Sequence, residues 1–108
     1  MMTWHVEVLP AAETELLMLP ADQQAKFLWI SELLEEFGPY KVGLPHVRFV
    51  EGKLWEMRLT GRDGIARALY IARTGQVLAM LHVFVKKTQK TPRKAIDTAL
   101  ARLQEIEK

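Results

Sequence analysis

One hundred and eight residues, 49% hydrophobic, 26% charged and without cysteine, make one compact domain and exclude a two-domain machine, a disulfide framework and a thiolate metal site. The formal net charge of +2 conceals an asymmetry: residues 1–40 carry one Lys against seven acids, residues 41–94 twelve Lys and Arg against three acids, and the last fourteen two against three. A middle stretch of net +9 hints at a polyanionic partner, set against the plainer reading of solvated cations on exposed loops.

Met1 to Glu7 lacks a basic region followed by an apolar core, and no apolar run has the length of a membrane span. A soluble, cytoplasmic single domain over residues 1–108 is expected, with no membrane partner. Residues 3–9 alternate, with Trp4, Val6 and Val8 on one side and His5 and Glu7 on the other, as in a half-buried strand. Pro10 opens a short helix carrying Leu16 and Leu17, and Pro20 repeats the device. From Ala21 to Phe37 the residues Phe27, Ile30, Leu34 and Phe37 share one helix face, and Gly38-Pro39 ends it. Tyr40 to Gly52 mixes Gly, Pro and basic residues without a period and reads as a loop.

Three strand-like runs follow. In the first, Trp55, Met57 and Leu59 share one face while Leu54, Glu56 and Arg58 share the other. Thr60 to Gly64 is turn chemistry, Ile65 to Arg73 is the second run, and Thr74-Gly75-Gln76 is a short hairpin connection. Val77 to Val85 puts Leu78, Met80, His82, Phe84 and then Lys86 on one face and is otherwise so apolar that it reads as a central strand covered on both sides. Thr91-Pro92 supplies an N-cap and first-turn proline for a last helix with Ile96, Leu100 and Leu103 buried. The expected fold class is α+β: an N-terminal strand and helical hairpin, an antiparallel three-strand meander and a C-terminal helix, with the helices on one side of the sheet. Because the first strand returns to the sheet through helices, its connection should be a right-handed crossover if it pairs in parallel.

The three His, at 5, 46 and 82, lack metal-ligand spacing, and there is no P-loop, G-x-G-x-x-G or G-x-S-x-G. No metal or other cofactor is expected. The distinctive segment is His82 to Pro92, in which an imidazole, an aromatic ring and Lys86 leave a strand, with Lys87 and Lys90 following before a helix N-terminus. Such an arrangement suits RNA, since cations neutralise phosphates and a flat ring stacks on an unpaired base. Arg58 and Arg67, on neighbouring strands, add planar donors able to grip a phosphate. Each residue also has a structural reading: His82 as a hydrogen-bonded core residue, Phe84 as core, the lysines as a solvated rim, and Arg58 paired with Glu56. Tyr70 should face away from Arg67 and pack if the strand is regular and no bulge intervenes.

Leu54-Trp55-Glu56-Met57-Arg58, then Arg67 and Tyr70, then Leu81 to Pro92 with its run Lys-Lys-Thr-Gln-Lys-Thr-Pro, closely resembles the phage-derived, HigB-like branch of the RelE/ParE toxin superfamily. Val83 departs from that pattern, where relatives commonly have Gly. The resemblance implies a RelE-like fold and the toxin of a type II toxin–antitoxin pair, a ribonuclease that cuts mRNA, in many relatives on the ribosome. It implies a cognate helix-turn-helix antitoxin as partner, with DNA reached only through that antitoxin.

Cleaving RNA without a metal uses the 2′-hydroxyl as nucleophile, so side chains must move protons and stabilise charge on phosphorus. Arg67, Arg58, Lys86 and Lys87 are the candidates for charge stabilisation, and His82 for acid or base. Phe84 would hold a splayed base, Lys90 would contact substrate, and Glu56 is either a base or substrate contact or the structural partner of an arginine. Two alternatives are a ParE-like gyrase inhibitor and a non-catalytic RNA-binding or interaction module of the same fold.

Overall fold

The structure, a computed structural model, describes residues 3–86 and 90–107, Lys86 by its backbone alone. In chain order the elements are β1 (His5–Val8), α1 (Pro10–Leu17), α2 (Ala21–Phe37), β2 (Val47–Glu51), β3 (Leu54–Gly61), β4 (Gly64–Arg73), β5 (Val77–Lys86) and α3 (Arg93–Ile106). The strands form one five-stranded sheet in the order β1-β5-β4-β3-β2. β1 pairs with β5 in parallel, the case in which its return through helices is a crossover, and every other pairing is antiparallel.

Alternation along the strands sorts their side chains onto two faces. Met57 and Leu59 of β3, Ala66, Ala68 and Tyr70 of β4, and Leu78 and Met80 of β5 pack with Ala12 and Leu16 of α1 and Phe27, Ile30 and Leu34 of α2. Leu54, Leu69, Ile71, Ala79 and Leu81 pack instead with Ala95, Ile96, Ala99 and Leu103 of α3. Helices therefore cover both faces, as expected for the strand Val77 to Val85 but not for the sheet as a whole, whose helices were expected on one side. The cause is the apolar character of β4, whose residues from Ala66 to Ile71 are all buried and need cover on either side. Phe37, placed on the buried stripe of α2 by its spacing, lies in the last turn and stays 52% exposed. Leu17 is likewise outside the core. At Gly38 the chain leaves α2 with φ +83, and a Cβ there would meet the Trp4 indole Nε1 at 3.1 Å, so glycine serves both the turn and the close approach.

β2 is a strand where the sequence reads as a loop. Its five residues, at the sheet edge, have one neighbour, β3, with Val47 opposite Met57 and Phe49 opposite Trp55. Flanking Gly and Pro mask so short an element, and its extended form depends on pairing with β3.

A second departure re-aims the site. Leu69 of β4 pairs with His82, but Tyr70 pairs with Met80, so Leu81 is an extra residue in β5. This bulge breaks the face expected to run Leu78, Met80, His82, Phe84 and Lys86. Leu78 and Met80 face α1 and α2, whereas His82 and Phe84 lie opposite Leu69 and Arg67 on the α3 face.

Candidate functional site: a basic sheet face with a latched histidine

Two cross-strand rows define the site. Arg58 of β3, Arg67 of β4 and Phe84 of β5 stand opposite one another in the first, and Glu56, Leu69 and His82 in the second. Successive rows on one face are two residues, about 7 Å, apart. Six positions on three strands thus converge, five of them the site residues expected on these strands from sequence.

Two arginines directly opposite each other repel and need compensation. Arg67 is only 4% exposed. Among the described residues its Nε and Nη1 and the Nε of Arg58 have no hydrogen-bond acceptor. Burial pushes the Arg67 pKa below the ordinary arginine value; Glu56 opposes that shift, while Arg58 and Arg48 add to it. The side chain still keeps its charge.

Glu56 supplies a single negative charge for this group. It is fully buried, accepts a hydrogen bond from Arg48 Nε at 2.7 Å and one from Thr91 Oγ1 at 2.9 Å, and lies 3.8 Å from Arg67 Nε. Arg48 Nη2 also donates to Thr91 Oγ1 at 3.2 Å. Thr91 therefore does not cap α3, as its position before Pro92 suggested. Pro92 is the N-cap and makes no side-chain capping bond, while the Thr91 hydroxyl joins the carboxylate to Arg48. Among the described residues one carboxylate, Glu56, stands with Arg48, Arg58 and Arg67, so cations outnumber acids at this end of the sheet face, and Nε and Nη1 of Arg67 lie buried without an acceptor.

The second row ends in a cluster for which the sequence offers no signal. Glu15 of α1 reaches the edge of β5 beyond the end of β1, where Val83 N–H donates to its Oε1 at 3.0 Å. Arg102 of α3 grips the same carboxylate through Nη1 at 2.8 Å and Nη2 at 3.0 Å, and its Nη1 also donates to Leu81 O at 2.9 Å. His82 Nδ1 stands 3.0 and 3.1 Å from the two Glu15 oxygens. The His82 ring stacks on Phe84, with centroids 5.2 Å apart and planes inclined by 18°. Glu15, His82, Phe84, Lys94, Thr98 and Arg102 line a cleft of 430 Å³.

Burial alone would raise the Glu15 pKa, but the hydrogen bonds from Arg102, Val83 and His82 hold it below its ordinary 4.5. A carboxylate with a folded pKa below its unfolded one stabilises above the unfolded value, and the effect fades as pH falls through the folded value. Glu15→Gln should therefore lower stability by about 1–3 kcal/mol at neutral pH. The gap from wild type should close in urea titrations run progressively below pH 4.5; a gap of constant size would remove the Glu15 charge from the account.

Lys86 pairs through its backbone with Ile65, and Lys87 lies outside the described residues. Lys90 is exposed and lines a 390 Å³ groove with Arg48, Thr91 and Ile96. Tyr70 is buried on the α1/α2 face, opposite to Arg67 as expected, and burial pushes its phenol pKa well up. Arg48, Thr91, Glu15 and Arg102 are the participants that sequence reasoning missed. Arg48 lay in the stretch read as a loop, Thr91 was assigned a cap, and Glu15 is 67 residues from His82.

Comparison with known proteins places the arrangement in context. Residues 14–104 match the family model described as Phage derived protein Gp49-like (DUF891). The RelE–RelB complex of Pyrococcus horikoshii OT3 contains a chain similar at 22% identity and TM-score 0.54, over 78% of this chain and 96% of that one. The RelBE2 toxin–antitoxin complex of Mycobacterium tuberculosis contains another, at 22% identity and TM-score 0.56, over 78% and 99%. No curated protein matches the sequence. With the family model spanning most of the chain and the sheet and helices superposing on those solved structures, this protein belongs to the phage-derived Gp49-like family and has the RelE toxin fold.

Proposed function

We propose that the protein is the toxin of a type II toxin–antitoxin pair and that it acts as a metal-independent endoribonuclease on mRNA, engaged on the ribosome. The observation that carries this reading is the buried Arg67, whose Nε and Nη1 lack acceptors among the described residues, directly opposite Arg58 and one row from His82. A scissile phosphate approaching this row would meet the half-buried Arg58 first, with the charge of Arg67 directly behind it, as negative charge builds on its oxygens.

The 2′-hydroxyl attacks phosphorus, forming a 2′,3′-cyclic phosphate as the bond to the 5′-oxygen breaks. One group takes the hydroxyl proton and another delivers a proton to the leaving oxygen. His82 lines the adjacent cleft and serves as acid or base, and Phe84 offers an aromatic surface for a base beside the cut. Lys86, Lys87 and Lys90 extend the cationic field along the RNA. Glu56, fully buried and held by Arg48 and Thr91, holds the arginines in place and does not meet the substrate.

The expected partner is an antitoxin of helix-turn-helix type that covers the basic face and carries any contact with DNA. The two solved structures compared above are a RelE–RelB complex and a toxin–antitoxin complex, which supports the pairing. Induced expression should arrest growth, new 5′ ends should appear in mRNA on ribosomes, and co-expression of the neighbouring antitoxin should reverse both. Growth arrest with intact mRNA and altered DNA supercoiling would favour gyrase as the target, and unimpaired growth would favour a non-catalytic module.

A further inference from the structure

The Glu15 cluster ties three elements to one imidazole and bears on which ring nitrogen carries hydrogen. Arg102 Nη1 has two hydrogens, and both have acceptors: Glu15 Oε1 at 2.8 Å and Leu81 O at 2.9 Å. The 3.4 Å approach of Nη1 to His82 Nδ1 therefore needs no hydrogen bond. With both carboxylate oxygens at 3.0 and 3.1 Å, a lone pair on Nδ1 would face the lone pairs of an anion. A hydrogen on Nδ1 removes that repulsion and makes a charge-assisted bond.

The carboxylate is itself held firmly. Val83 N–H, on the edge of β5 past the last β1 pairing, fixes Oε1, and the two-pronged grip of Arg102 fixes both oxygens. Arg102 also balances the charge of Glu15, so the ring meets a neutral pair rather than a bare anion. Phe84, stacked on the imidazole, limits rotation of the ring.

We propose that Glu15 is a positioning residue for the reaction: it holds His82 as the Nδ1–H tautomer, leaving Nε2 as the nitrogen that exchanges a proton with RNA. This role rests on the ribonuclease reading for its consequence, but its structural half is measurable without any activity. In Glu15→Gln an amide replaces the carboxylate; whichever way it turns, its NH2 faces N–H groups of Val83, Arg102 or both, so the tautomer preference is lost.

The test has two arms. In the first, long-range ¹H–¹⁵N spectra of histidine side chains are recorded at a pH where the imidazoles are neutral, with the His82 signals assigned by their loss in His82→Gln. The wild type should show Nδ1–H at His82, and Glu15→Gln should show a mixture or the other tautomer. An Nε2–H ring in the wild type, or an unchanged ring in the variant, overturns the proposal.

The second arm is kinetic. Glu15→Gln should lower kcat for RNA cleavage by about tenfold or more while KM stays within about twofold, and it should cause no further loss in a His82→Gln background. A loss of equal size in both backgrounds would mark Glu15 as merely structural and overturn the role. If the tautomer shifts as expected but the wild type leaves RNA intact, the positioning geometry stands and the ribonuclease reading falls.

Discussion

Arg67→Ala is expected to fold, to bind the antitoxin, and to lose growth inhibition, with RNA cleavage slowed by about 10²–10³-fold, the loss found when one preorganised donor to transition-state charge is removed. The protein should survive the change because Glu56 keeps its bonds to Arg48 and Thr91. Removal of a buried cation with unanswered donors also relieves a desolvation cost that offsets part of the cavity. Arg67→Lys should recover only part of the rate, since a lone ammonium keeps the charge but loses the planar pair of donors. Single-turnover cleavage, with circular dichroism as the folding control, is the relevant measurement. Wild-type cleavage by a folded Arg67→Ala protein would exclude Arg67 from the mechanism and deprive the proposed function of its main support.

Glu56→Ala is expected to do the reverse, damaging stability before chemistry. Removing one partner from a buried ionic group typically costs about 3–5 kcal/mol, because the remaining charge is stranded. Here Arg48, with 38% of its side chain exposed, can turn toward water, but Arg67, with 5%, cannot. A value near the lower end is expected, still a large share of the roughly 5–15 kcal/mol that holds a domain of this size folded. Urea denaturation should show a lower midpoint at unchanged slope. A loss under about 1 kcal/mol would mean that Glu56 does not neutralise the arginines and would reopen its assignment as a base or substrate contact.

Much of this organisation was legible from local pattern. Prolines at 10 and 20 mark the starts of α1 and α2, because proline fits a helix start and little else nearby. Alternation in β3 correctly separated Trp55, Met57 and Leu59 from Leu54, Glu56 and Arg58, since period two is a property of the extended chain itself. The RelE-like fold was legible as well, through the run from Leu54 to Pro92, and the similar solved structures bear it out.

What failed locally failed for one physical reason: it depends on a partner distant in the chain. β2 is a strand because β3 lies beside it, and Thr91 serves Glu56 because α3 starts over β3. The Leu81 bulge arises from pairing with β4; counting residues along β5 places His82 and Phe84 with Leu78 and Met80, on the face opposite to the one they occupy.

The sequence by itself determined every element type except β2, the basic character of the middle of the chain and most of the residues that meet at the site, because composition and periodicity are local. Only the tertiary structure decided which of those residues face one another. Arg58, Arg67, Glu56, His82 and Phe84 share a surface through register and a bulge, and Glu15 joins His82 across 67 residues because α1 crosses the open edge of β5. Hydrogen bonds and ion pairs act over a few ångströms of space whatever the separation along the chain, so the carboxylate that orients the histidine could be identified only once the chain was folded.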